Sequence, residues 1–193
     1  MYREGKTYDR IDRVIIDVII DYGINSFPIN VQELCSKMKI ELIPYSECDS
    51  EVRNILRKKS KDGVFQRPSK TTPAIIYFND RFVGRTSVRF TLCHELAHFV
   101  LEDSDDSKDD IAEYFARHFL CPTSYLLLKG IESADEIAEY CGVSKSAAKN
   151  AASNIKNRKE KYGNSLFSYE VPLIEHLEPE LMELVDKIIE KEE

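Results

Sequence analysis

Apolar residues recur along the first third of the chain with two different spacings, and these spacings predict the order of its elements. Between residues 8 and 22 they fall at helical spacing, with Thr7 or Asp9 as a candidate N-cap. A second, short helix is predicted for residues 31–39, which follow the good N-cap residue Asn30. The alternating segment 40–45 then predicts a strand.

The middle of the chain predicts the rest of a small sheet, and the remainder is mostly helical. After a short helix around residues 52–58, two strands are predicted at 63–66 and 74–79, and a long helix from about Thr86 to Leu101. Further helices are predicted at residues 110–120, 134–142, 144–160 and 178–193. This order of elements indicates an α+β fold.

Composition and charge narrow the class of protein. The 193 residues, 42% of them hydrophobic and 32% charged, are typical of a globular protein. The net charge of −7 is unlike that of a general nucleic-acid binder. The N-terminus has no signal-peptide pattern, and no apolar run is long enough to cross a bilayer, so we expect no membrane association and a cytoplasmic location.

Five cysteines are spread along the chain without a C-x-x-C pair. In a reducing compartment this pattern predicts buried free thiols and no disulfide framework.

The segment HELAH at residues 94–98 carries the clearest chemical signal. On a helix, His94 and His98 lie one turn apart on the same face, where two imidazoles can bind one zinc ion. Glu95 projects from the adjacent edge, where its carboxylate can accept a proton from the reacting water. The apolar residues on both sides of this segment suit a buried metal-binding helix. The other interpretation, two structural histidines, has less support.

A zinc site of this kind needs a third protein ligand, and the next predicted helix offers two carboxylates. Asp109 and Glu113 are four residues apart and share one face. One of them can bind the metal while the other supports a ligand histidine from behind. His118 lies nine residues after Asp109, on the opposite side of the same helix, and is a weak candidate for the third ligand. The acidic residues Asp103, Asp105 and Asp106 are expected in a solvated loop.

The segments RFTLCHELAHFVL and DDIAEYFARHFLCP resemble the ImmA/IrrE family of metallo-endopeptidases. That family pairs an Arg-Phe-Thr-x-x-His-Glu-x-x-His helix with a second acidic helix that ends in Leu-x-Pro. The resemblance implies that His94 and His98 are zinc ligands and that Glu95 is the catalytic base. The family's acidic ligand falls on Asp109, one methylene shorter than the usual Glu, and Glu113 stands as the alternative ligand.

The resemblance also implies a mostly helical, zincin-like metallopeptidase domain of the gluzincin type, with a small sheet. We expect this domain at residues 1–125 and a helical, helix-turn-helix-like subdomain at residues 126–193. The implied function is a Zn²⁺-dependent regulatory endopeptidase that cleaves a helix-turn-helix repressor, in control of a mobile element or a stress response. The alternative is a non-catalytic, metal-stabilised regulator that binds a repressor or DNA.

Residues 135–161 are the candidate segment for DNA binding in that alternative. They predict a helix, a turn at Gly142 and a second, basic helix, a spacing that is also found in DNA-binding helix-turn-helix units. Four alanines in the second helix indicate close helix packing instead: Ala147, Ala148, Ala151 and Ala152. We favour packing over nucleic-acid contact because helix-turn-helix spacing is weakly specific.

Overall fold

The computed structural model describes residues 2–81, 85–101, 109–183 and 185. These residues are mostly helical, with one three-stranded sheet, which confirms the predicted α+β class. The helices are α1 (Tyr2–Asp21), α2 (Val31–Lys37), α3 (Ser50–Lys59), α4 (Arg85–Val100), α5 (Asp109–Leu120), α6 (Thr123–Leu128), α7 (Ala134–Cys141), α8 (Lys145–Tyr162) and α9 (Val171–Leu177). The strands are β1 (Ile40–Pro44), β2 (Gly63–Gln66) and β3 (Ala74–Phe78). No helix among these residues is long and apolar enough to cross a membrane.

The helix prediction at the N-terminal end of the given sequence differs from the structure in where the helix begins. Helix α1 begins at Tyr2, so Thr7 and Asp9 lie inside it and do not cap it. Its first turns are polar, and they therefore carry no apolar stripe to reveal them, although Arg, Glu and Lys favour helices. Within the helix predicted for residues 178–193, the described residues form a 3-10 turn at Pro179–Leu181 and are helical at 182, 183 and 185. Residues 184 and 186–193 lie outside the described part of the chain.

The chain forms two compact units. One is the continuous segment 30–116. The other combines residues 1–29 with residues 117–193. The division predicted at residue 125, between a peptidase domain and a helical subdomain, stays a prediction.

In the unit of residues 30–116, the sheet has the order β1-β3-β2. Strand β1 runs parallel to β3, and β2 runs antiparallel to it, with Gly63 opposite Phe78. The central strand β3 is the most apolar, in keeping with its burial. Helix α4 packs against β2 and β3. One face of it is apolar, and Leu92, Cys93 and Leu96 on that face have no exposed surface.

In the other unit, α1 buries an apolar face and contacts α9, and α7 packs against α8. Ser133 and Glu136 form a capping box at the start of α7. Gly142 ends α7 in the left-handed conformation, with φ of 60°. In α8, Ala148 and Ala151 are buried, as the packing interpretation requires. Nucleic-acid contact through residues 135–161 stays a prediction.

All five cysteines are free and buried, which confirms the prediction made from their spacing. Burial raises the pKa of the Cys35 thiol to about 12, and it also raises the pKa of Cys93. These thiols are therefore protonated at neutral pH and act as small apolar side chains.

Candidate metal centre

Helix α4 places the two predicted histidines side by side. Residues four apart lie on one helix face, and the rings of His94 and His98 have centroids 5.3 Å apart at an angle of 73°. Both side chains are half-buried at the wall of a cleft. The opposite face of α4 lies in the core.

The first residue of α5 brings a carboxylate to the same point. Asp109 Oδ1 lies 3.7 Å from His94 Nε2. Donor atoms of His94, His98 and Asp109 all lie within 4.8 Å of one another. Two ligands at the zinc–ligand distances found in proteins are about 3.3 Å apart at a tetrahedral angle. This donor set therefore fits zinc with small adjustments, and the shorter Asp side chain reaches the histidines from this helix position.

Glu113, the alternative ligand, is one turn further along α5. It lines the cleft and is half-buried, but it is not part of the three-residue donor cluster. Its charge acts on His94 less strongly than that of Asp109. The geometry therefore favours Asp109 over Glu113 as the third donor to a metal ion.

The protonation state of His94 suits a metal ligand. Burial lowers the pKa of its imidazole, and the nearby carboxylates of Asp109, Glu113 and Asp62 offset only part of that effect. The ring is thus neutral at neutral pH and has a lone pair available for a metal ion.

Glu95 points towards strand β2 and is only 8% exposed. Gly63, at the start of β2, packs directly against it. A Cβ atom on Gly63 would lie 3.1 Å from Glu95 Oε1 and 2.6 Å from Thr91 Cγ2. Only glycine allows this approach, and the contact holds the carboxylate between the strand and the helix.

These residues line a cleft of about 410 Å³. One side is built from α4 and α5, and the other from β2 with the segments before and after it. Every residue of the predicted site lines it: His94, Glu95, His98, Asp109 and Glu113. His118 does not line this cleft, in agreement with its low ranking, and Asp103, Asp105 and Asp106 lie outside the described residues.

A sequence comparison bears on these residues directly. The model of the family Peptidase_M78, described as the IrrE N-terminal-like domain, matches residues 52–153. The match covers more than half of the chain and includes α4 and α5. The chain belongs to the IrrE N-terminal-like peptidase family. This confirms the resemblance noted from the two helix motifs. No curated protein matches the chain significantly.

The IrrE-like region also contains cleft residues that the sequence analysis did not identify. Lys59, Asp62, Gly63 and Arg67 line the cleft from the β2 side. They lie some thirty residues before the HELAH segment, and only the packing of β2 across α4 brings them to the site. A glycine at the start of a predicted strand was the one available signal, since such a glycine often marks a close backbone approach.

Proposed function

We propose that this IrrE-like protein is a zinc-dependent endopeptidase. The observation that carries the proposal is the cluster of His94, His98 and Asp109 donor atoms within 4.8 Å, with the buried Glu95 carboxylate on the adjacent residue. Three protein ligands leave one position open, as in catalytic zinc sites. A purely structural zinc site would fill that position with a fourth side chain.

In the proposed reaction, the protein's own groups carry the proton and orient the peptide. Bound zinc would supply Lewis acidity to the scissile carbonyl and would lower the pKa of the attacking water. Glu95 accepts the proton of that water and returns it to the leaving amine nitrogen. Its contact with Gly63 keeps the carboxylate in one orientation for both transfers.

The cleft is also suited to an extended peptide. Within the described residues, β2 pairs only with β3, so its other edge is free to form main-chain hydrogen bonds. An extended substrate can add there as a further strand beside Glu95. This edge supports endopeptidase action, since the cleft needs no chain terminus for recognition.

The physiological substrate we propose is a helix-turn-helix transcriptional repressor, cleaved in the cytoplasm. This step rests on the resemblance of the two motif helices to the ImmA/IrrE endopeptidases. A protease of this kind would relieve repression of a mobile element or of stress-response genes.

The decisive experiment compares wild type with Glu95→Gln, both loaded with zinc, on the helix-turn-helix repressor encoded nearest to the gene. We expect wild type to cleave the repressor and Glu95→Gln to lose cleavage while it keeps one zinc per chain. Asp110→Asn, on the exposed side of α5, serves as the matched control. If derepression in cells survives Glu95→Gln undiminished, the protein acts as a non-catalytic regulator and the proteolytic function is wrong.

A further inference from the structure

The face of β2 that lines the cleft carries a glycine, then an aromatic residue, then a basic residue just beyond the strand. Alternate residues of a strand point to the same side. Gly63 contacts Thr91 and Glu95 of α4, and Phe65 packs edge-to-face on Phe99 of the same helix, with ring centroids 5.9 Å apart. Arg67 continues this series just beyond the strand end, and it also lines the cleft. The intervening Val64 also borders the cleft, but it is buried and belongs to the core cluster with Tyr45 and Leu56.

Arg67 presents a positive charge that the described protein does not neutralise. Its side chain is exposed, and within residues 2–81, 85–101 and 109–183 it has no hydrogen bond or ion pair. The adjoining loop is held closed by a hydrogen bond of 2.9 Å from Ser69 N to Thr72 O. Arg67 therefore lies at one end of the cleft, directly before a loop that is closed by its own hydrogen bond.

The acidic residues of the cleft are concentrated at the opposite end of β2. Asp62, Glu95, Asp109 and Glu113 lie around Gly63 and the histidines. Gly63 and Arg67 are four positions apart along the chain, a distance of about 13 Å when the chain is extended. This exceeds the screening length of about 8 Å at physiological ionic strength. A carboxylate beside Arg67 is therefore attracted to the guanidinium and only weakly repelled by the acidic centre.

We propose that Arg67 is a specificity-determining residue that binds an Asp or Glu side chain of the substrate about four residues from the scissile bond. The inference rests on the proposed peptidase function. A peptide paired with β2 advances at the same rise per residue, so its residues opposite Gly63, Phe65 and Arg67 share the cleft face. The peptide then presents its scissile region at Gly63, an apolar side chain at Phe65 and an acidic one at Arg67. Arginine suits this role because its guanidinium can bind a carboxylate through two hydrogen bonds.

The first test is a cleavage-site profile. Zinc-loaded full-length protein is incubated with a proteome-derived peptide library, and the cuts that require Glu95 are mapped by mass spectrometry. We expect Asp and Glu to be enriched three to five residues from the cut bond. Enrichment on the N-terminal side indicates a peptide antiparallel to β2, and enrichment on the C-terminal side a parallel one.

Charge reversal then assigns the preference to one residue. Arg67→Glu is expected to abolish the acidic preference and to favour Lys or Arg at the same position. Lys70→Glu makes a charge reversal in the same loop, at an exposed residue that does not line the cleft, and is expected to keep the wild-type profile. A profile without acidic enrichment, or one that Arg67→Glu leaves unchanged, overturns the inference.

A binding measurement separates this inference from the proposed function. Absence of any Glu95-dependent cut counts against the peptidase function, and affinity then decides the role of Arg67. The probes are two fluorescein-labelled octapeptides that differ only in Asp against Asn at the predicted position, bound to zinc-loaded Glu95→Gln protein. We expect the Asp peptide to bind about threefold to fivefold more tightly, the range of an exposed ion pair, and Arg67→Glu to remove the difference. Equal affinities for the two peptides overturn the role of Arg67.

Discussion

Among single residues, Gly63 sets the position of the proposed catalytic base. Replacement by alanine would place a Cβ atom 2.6 Å from Thr91 Cγ2 and 3.1 Å from two atoms of Glu95. Such overpacking typically costs about 1–3 kcal/mol of stability. It would also move the Glu95 carboxylate. We expect Gly63→Ala to retain one zinc per chain but to hydrolyse peptides more than about tenfold more slowly, because small misplacements of reacting groups are costly.

A second substitution tests whether crowding against Thr91 causes the loss of stability in Gly63→Ala. Thr91→Ser removes the methyl group that lies closest to the added Cβ atom. The double variant Gly63→Ala with Thr91→Ser should therefore recover part of the lost stability, measured by urea denaturation as a double-mutant cycle. If the effects of the two substitutions on the free energy of unfolding are strictly additive, the contact between the added Cβ atom and the Thr91 methyl group does not cause the loss of stability.

Cys35 should make the fold sensitive to alkaline pH. Its pKa is about 12 in the folded protein and near 9.0 in the unfolded chain, because burial disfavours the thiolate. Its contribution to stability is fully present below pH 9 and is lost as the pH rises towards 12. We expect the free energy of unfolding to fall by about 1.4 kcal/mol per pH unit in this window from this thiol alone. Urea denaturation of metal-free Cys35→Val at pH 8 to 11 should show a correspondingly smaller slope, and an identical slope would contradict the assignment.

At the scale of elements, α4 and α5 hold the metal centre as a pair. Helix α4 supplies both imidazoles, and the first turn of α5 supplies Asp109. We expect Asp109→Ala to weaken zinc binding by about a hundredfold or more, and Glu113→Ala to weaken it by no more than tens of fold, as for a supporting residue. Competition with a zinc-sensitive dye measures both affinities. Asp110→Ala, on the same first turn, is the matched control for lost charge.

If the two losses of zinc affinity ranked the other way, Glu113 would be the ligand. A larger loss of zinc affinity in Glu113→Ala than in Asp109→Ala would show this. The cleft would then have to narrow when metal binds, since Glu113 lies outside the donor cluster.

The sequence predicts elements well where their own periodicity determines them. Helix α4 was predicted from Thr86 to Leu101 and runs from Arg85 to Val100, and both strands of the β2–β3 pair begin at their predicted positions. The two histidines follow from helix geometry alone. By contrast, the sequence does not predict α6 and α9, because helices of six or seven residues have too few turns to show a helical repeat of apolar residues.

Long-range packing accounts for what the sequence could not predict. The strand order β1-β3-β2 places Lys59, Gly63 and Arg67 beside a helix some thirty residues later. No local pattern encodes that contact, since each residue suits a solvent-exposed turn or strand end equally well. The choice between Asp109 and Glu113 as the ligand likewise depends on where α5 begins, and helix boundaries are the least accurate part of a pattern-based prediction.

For the whole molecule, zinc should stabilise the folded state. A ligand that binds only the folded chain adds stability that grows with its concentration, about 2.7 kcal/mol at one hundred times its dissociation constant. We expect zinc to raise the thermal midpoint by several degrees and a chelator to reverse the change. Differential scanning fluorimetry checks this, with His94→Ala as the variant that should not respond. An equal response in that variant would place the stabilising zinc elsewhere.

The division of the chain into a continuous and a discontinuous unit bears on the order of events during synthesis. Residues 30–116 can complete their own contacts as soon as they have left the ribosome, because no later segment belongs to that unit. Helix α1 is made before this unit, yet its partner α9 follows about 150 residues after α1, and the ring nitrogen of His176 then donates a hydrogen bond of 2.9 Å to the backbone oxygen of Ile24. The apolar face of α1 therefore lacks its native partner until α9 has been synthesised, and we expect chaperones to bind this nascent helix during that interval.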